Sequence, residues 1–179
     1  MNPEMKLGNN KDTVFMATAL ELAQTALEKG EFPVGCVIAG GSTVVARGHR
    51  TGTTAGAGNE IDHAEINTLK QLLDVRPDLE RGTLTIYCTM EPCLMCFSAI
   101  LLSGIGRIVY AYEDVMGGGT ECDRSGLPSL YREAPLTVVP GVLRNESLML
   151  FKRFFADSGN PYWEKSPLSR YTLAQPAIP

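Results

Sequence analysis

Two short stretches hold the residues of this chain whose types and spacing could do chemistry: His63-Ala64-Glu65 and Pro92-Cys93-Leu94-Met95-Cys96. Two thiolates and a neutral imidazole make a three-ligand set for Zn²⁺ that leaves one position for water, as catalytic sites do. A carboxylate close to that water can move its protons. Each stretch also has a plainer reading. Asp62-His63-Ala64-Glu65 has the form of a helix capping box, an acid at the cap and Glu three residues later. A Cys-x-x-Cys pair can serve redox chemistry, but a thioredoxin-like site would put it after the first strand of a βαβ unit and would need neither His63 nor Glu65. A closed structural zinc would take a fourth ligand, and Cys36, Cys88 and Cys122 have no second ligand at short spacing. The two stretches together favour a catalytic zinc.

Residues two apart face different sides in mid-helix, so His63 and Glu65 can meet one point only at a helix N-terminus, where side chains lean back toward the end. The pattern supplies such ends. "AEINTLKQLLD" is amphipathic, with Ile66, Leu69, Leu72 and Leu73 on its expected buried side. Pro92 stands where the next helix should start, which places Cys93 and Cys96 on one face of its first turn, near the positive end of the helix dipole.

Around these, residues 12–29 read as a helix with Asp12 as cap and Gly30 as stop. Two β-branched runs flank Gly40-Gly41-Ser42 as a hairpin, and the glycine-bearing stretch from Arg50 to Ile61 reads as a mobile loop. Strands are expected at about 84–89, at "RIVYAY" and at "LTVVPGVL", where Pro140 marks an edge or an end. "NESLMLFKRFF" is a helix with Asn145 as cap, and the last twenty residues lack a period. The order predicts a single α/β domain, residues 1–156, a three-layer α/β/α sandwich around a five-stranded mixed sheet, with 157–179 packed on it as a C-terminal extension.

His-x-Glu followed by Pro-Cys-x-x-Cys resembles the signature of the cytidine deaminase-like superfamily of zinc-dependent deaminases. The likeness runs from about Glu31 to Phe155 through "FPVGCVI", "HAE", "MEPCLMC", "GIGRIVYA" and "RFF", and is greatest to the branch of tRNA adenosine deaminases and guanine deaminases, in which the fourth and fifth strands are parallel. The resemblance implies His63, Cys93 and Cys96 as ligands of one zinc per chain, and Glu65 as the proton shuttle for water activated there. It implies that the backbone N–H of Ala64 holds the base, that Phe32, Pro33 and Val34 line the pocket rather than simply packing at a strand edge, and that the active unit is a homodimer. Phe154 and Phe155 either close the pocket or belong to the core of the last helix. His49 stands where relatives carry a base-reading asparagine, and an imidazole cannot offer a carboxamide's paired donor and acceptor. Glu91 either takes part or orients the following loop.

The 179 residues carry a net charge of −4, without the basic field of a protein that holds long nucleic acid. That balance, with His49, favours a free base, nucleoside or related heterocycle over the wobble adenosine of a tRNA. A zinc-stabilised binding module without catalysis is the reading of another class, and it leaves Glu65 without a purpose. The glycines from Met116 to Gly119 lack the Lys-Ser/Thr pair of a phosphate loop and read as a loop at the pocket mouth. No apolar run reaches the roughly 20 residues of a membrane span and no secretory signal is legible, so the expected compartment is the cytoplasm.

Overall fold

The computed structural model describes residues 10–54 and 58–176; the expected loop from Arg50 to Ile61 and the C-terminal extension therefore lie partly outside the described residues. Phe15, Met16, Ala19, Ala23 and Ala26 form the buried stripe of α1 (Asn10–Glu28). The three alanines let the helix lie close on the sheet, so close that a Cβ on Gly35 would collide with the Ala19 carbonyl oxygen. Asp12 is not the cap of this helix. It lies inside the first turn, 4% exposed, and its carboxylate accepts from both Nη atoms of Arg107 at 2.8 Å and from the Tyr87 hydroxyl at 2.9 Å.

The hairpin forms as expected, β1 (Gly35–Gly40) and β2 (Thr43–His49) turning at Gly41, whose φ of 63° suits glycine. Then follow α2 (Ala64–Val75), β3 (Thr85–Met90), α3 (Leu94–Leu102), β4 (Arg107–Tyr112), a short α4 (Ser129–Arg132), β5 (Thr137–Val139), α5 (Arg144–Ala156) and α6 (Pro167–Ala174). The sheet order is β2-β1-β3-β4-β5; β1 is antiparallel to both neighbours, while β3, β4 and β5 run parallel. This is the expected five-stranded mixed sheet. Alternation along the strands divides the core: Cys36, Ile38, Ile86 and Ile108 face α2 and α3, and Val37, Tyr87 and Val109 face α1.

Three local expectations need correcting. The buried side of α2 is Ala64, Glu65, Thr68, Leu69 and Leu72, whereas Leu73 is 48% exposed, because the helix packs on β1 and β2 through the face that carries Thr68. Leu143, in the left-handed region at φ 54°, caps α5 in place of Asn145. The tail is not aperiodic throughout: Ser166 accepts from the Ser169 N–H at 3.0 Å and Pro167 starts α6, which packs on α5 and buries Leu168 in the main core. No helix among the described residues is long and apolar enough to cross a membrane.

The Asp12–Arg107 pair ties the first helix to β4, and its guanidinium holds Asp12 below the ordinary carboxylate range. An unfolded Asp protonates near about 3.9. The native state therefore keeps the charge where the unfolded chain loses it, and the contribution is complete above about pH 4 and fades as pH falls through the depressed native value. Asp12→Asn should cost about 2 kcal/mol in urea unfolding at pH 7, with the gap narrowing below about pH 4. A gap independent of pH would remove the ion pair from the account.

Candidate active site

The parallel strands β3 and β4 deliver their carboxyl ends to one rim of the sheet, where open α/β sheets form their crevices. At that rim the N-termini of α2 and α3 converge. His63 is the N-cap of α2 and Cys93 the N-cap of α3, neither making a side-chain capping bond. The capping-box alternative fails here: Asp62 instead accepts from Asn59 Nδ2 at 2.7 Å and pairs with Lys70 at 3.3 Å. Glu65 turns inward, 3% exposed.

His63 Nδ1 lies 3.6 Å from Cys93 Sγ and 3.5 Å from Cys96 Sγ, and the three ligand atoms are all within 4.8 Å of one another. Tetrahedral zinc, with Zn–S of about 2.3 Å and Zn–N of about 2.0–2.1 Å, sets the N···S separation at about 3.6 Å. The donor set fits a zinc ion. Its electrostatics agree. The Cys96 hydrogen bond and then His63 draw the Cys93 thiol down to about 4, while giving that bond, together with burial, pushes Cys96 far up. One thiolate thus suppresses the other, and a dication between them lifts that conflict. Burial works against a charged His63, but Cys93 and Glu65 outweigh it and raise the imidazole above its ordinary value. Burial pushes Glu65 up to about 7.

Phe32, Val34, Ala64 and Glu65 line the pocket beside His63 and Cys93. Pro33 does not line it. Phe154, 2% exposed, and Phe155 pack their rings 5.2 and 6.0 Å from Phe32 and so support the wall from behind, as residues of α5. His49 also stays out: its Nδ1 lies 2.9 Å from the Arg50 carbonyl oxygen and its Nε2 3.4 Å from Lys29 Nζ. Successive residues at the end of β2 point to opposite sides, and Arg50 is the one that reaches the pocket. Glu91 orients a loop, one Oε accepting from the Asp114 N–H at 3.1 Å and the other from Thr120 Oγ1 at 2.6 Å. That loop carries Met116 and Gly117 to the pocket mouth, and a Cβ on Gly118 would strike the Glu91 carboxylate.

Sequence patterns missed Arg50, Glu60, Asp114, Tyr162, Trp163 and Leu168. The alternation at the end of β2 could have found Arg50. The adjacent Tyr162 and Trp163, two aromatic residues in a stretch without a period, were the available signal for the tail. Glu60 joins several of these parts: its Oε2 accepts from Arg50 Nη2 at 3.2 Å and from the Tyr162 hydroxyl at 3.1 Å, and lies 3.9 Å from His63 Nε2.

The family model of the cytidine and deoxycytidylate deaminase zinc-binding region matches residues 9–112. The chain is 31% identical over 150 residues to a tRNA-specific adenosine deaminase of Bacillus subtilis (strain 168), covering 82% of this chain and 90% of the relative. It is 25% identical over 169 residues to a tRNA-specific adenosine deaminase of Streptococcus pyogenes serotype M1, covering 94% and 95%. A solved structure from a study of A-to-I editing by tRNA:A34 deaminases is 32% identical, with a TM-score of 0.66 over 77% of this chain and 99% of that one. The guanine deaminase from Nitrosomonas europaea, 18% identical with a TM-score of 0.63 over 86% and 97%, shares the fold.

The purified chain should hold about one zinc per molecule by elemental analysis. Cys93→Ser and Cys96→Ser should each lose most of it, and the exposed Cys122 should be dispensable. Zinc retained in both variants would rule out this ligand set.

Proposed function

The chain belongs to the cytidine and deoxycytidylate deaminase zinc-binding family, and from that premise we propose that it deaminates adenosine carried in a tRNA loop. As a member it is a zinc-dependent deaminase, a hydrolase acting on C–N bonds. The likeness to a tRNA-specific adenosine deaminase over 90% of that relative carries the choice of substrate. It outweighs the acidic balance of the chain, since an unpaired base in a loop can enter the same kind of pocket as a free one. The net charge of −4 and the wall of Tyr162 and Trp163 favour a second reading, a free base or nucleoside.

His63, Cys93 and Cys96 would hold the zinc, which as a Lewis acid lowers the pKa of water toward neutrality. Glu65 is buried beside them, and its carboxyl can hold a proton near neutral pH. Its Oε atoms take one proton of the attacking water and return it to the ring nitrogen next to the amino-bearing carbon, then take the remaining proton of the added hydroxyl and pass it to the departing amine. Ammonia leaves and the ring keeps an oxo group. The N–H of Ala64 is among those a helix start leaves without an intrahelical acceptor, so it is free to orient the base. Phe32 and Val34 supply apolar surface and exclude water.

Glu65→Ala should keep the zinc and lower ammonia release by at least about 10²-fold. The substrates to compare are a tRNA anticodon stem-loop, adenosine, guanine, cytosine and their nucleotides. Undiminished release with zinc in place would remove Glu65 from catalysis, and turnover confined to the free bases or nucleosides would select the second reading. The chain should also sediment as a homodimer, because Leu73 and Val75 on α2 and Leu94 and Leu102 on α3 expose large apolar side chains that a second copy can cover. A fully active monomer would contradict this.

A further inference from the structure

Trp163 is the sole tryptophan of the chain, lines the pocket and is 40% exposed. Its φ of 58° is a left-handed conformation that a bulky aromatic residue rarely adopts and that persists only where its surroundings impose it. The neighbouring Tyr162 supplies much of that imposition. Its ring packs 5.5 Å from Phe32, 6.2 Å from Phe154 and 5.7 Å from Trp163, and its hydroxyl donates to Glu60. Glu60 is held in turn by Arg50. That guanidinium is 2% exposed, and its Nε and Nη1 have no partner among the described residues. Moving Glu60 away would strand a buried cation, so the carboxylate is a fixed point for Tyr162.

We propose that Tyr162 and Trp163 are the specificity-determining wall of the pocket, on which the heteroaromatic ring of the substrate stacks, with Glu60 as the residue that positions it. A planar ring gains most from a flat aromatic face, and stacking tolerates any base while still setting how deep the ring lies. The other walls offer Phe32, Val34, Met90 and Leu168 as apolar surface, with polar groups concentrated around His63 and Glu65. The pair comes from the segment after α5, outside residues 9–112 that the deaminase family model matches. The inference rests on the deaminase reading above and adds the residues that choose its substrate.

The lone tryptophan makes the test direct. Zinc-loaded Glu65→Ala protein is titrated with adenosine and, separately, with an anticodon stem-loop RNA, reading tryptophan emission, with calorimetry as an independent measure of binding. A saturable change in emission is expected with whichever ligand binds. A response to adenosine means that a free ring fills the wall, and a response to the RNA alone means that the ring arrives in a loop. Trp163→Ala should weaken calorimetric binding roughly tenfold and Trp163→Phe should restore most of it. In the otherwise active chain, Tyr162→Phe should raise KM with little change in kcat or zinc content. Calorimetric binding with unchanged emission, undiminished by Trp163→Ala, overturns the wall and leaves the deaminase reading standing. Failure of both ligands to bind overturns the two together.

Discussion

Two helix starts must be held within hydrogen-bonding distance of each other, and most of the fold serves that requirement. Each N-terminus projects unsatisfied N–H groups and a partial positive charge, which repel one another unless anionic or metal-binding groups lie between them. Here Cys93 and Cys96 from α3 and His63 from α2 fill the gap. The parallel pairing of β3 with β4 fixes where α3 begins, and the packing of α2 on β1 and β2 fixes where His63 stands. Loss of either would separate the ligands without touching one of them.

Burial decides what Glu65 can do. An exposed glutamate at a helix start would be an ordinary acid that favours the dipole, fully ionised at neutral pH. Enclosed at 3% exposure, its carboxyl is pushed up to about 7 by burial, so it can gain or lose a proton near neutral pH. The same residue type, two positions into a helix, is therefore a stabilising charge or a proton carrier according to what packs over it. Glu91, at 8% exposure, shows a third outcome: its oxygens are taken up by the N–H and hydroxyl groups of the 114–120 loop, so it shapes the mouth of the pocket.

The centre of the site was legible in the sequence because its parts are local: His63 with Glu65, and Cys93 with Cys96, each lie within one helical turn. The five-stranded mixed sheet followed from where helices intervene between strands. Residues fixed by distant partners were not legible. His49 looked like a base reader from its place in the pattern, but the pleat turns it toward Lys29 and gives the pocket to Arg50. Phe154 and Phe155 carried no mark to tell a lining ring from one that supports it, a distinction made by Phe32, far off in sequence. Asp12 offered a cap by local rule, and Arg107 on β4 claimed it. The α6 start was legible in Ser166-Pro167 and was overlooked because the neighbouring prolines suggested irregular chain.

Tyr162 and Trp163 at the pocket and the three residues that fit zinc lie on stretches well separated along the chain. His63, Cys93 and Cys96 belong to the sheet and its first crossovers, whereas Tyr162 and Trp163 belong to a strap fastened at Glu60 and by α6. Inheritance can act on these stretches separately. Substitutions in the strap can reshape the pocket wall without touching the zinc-fitting residues, so two chains with the same three ligands can differ in the ring they admit.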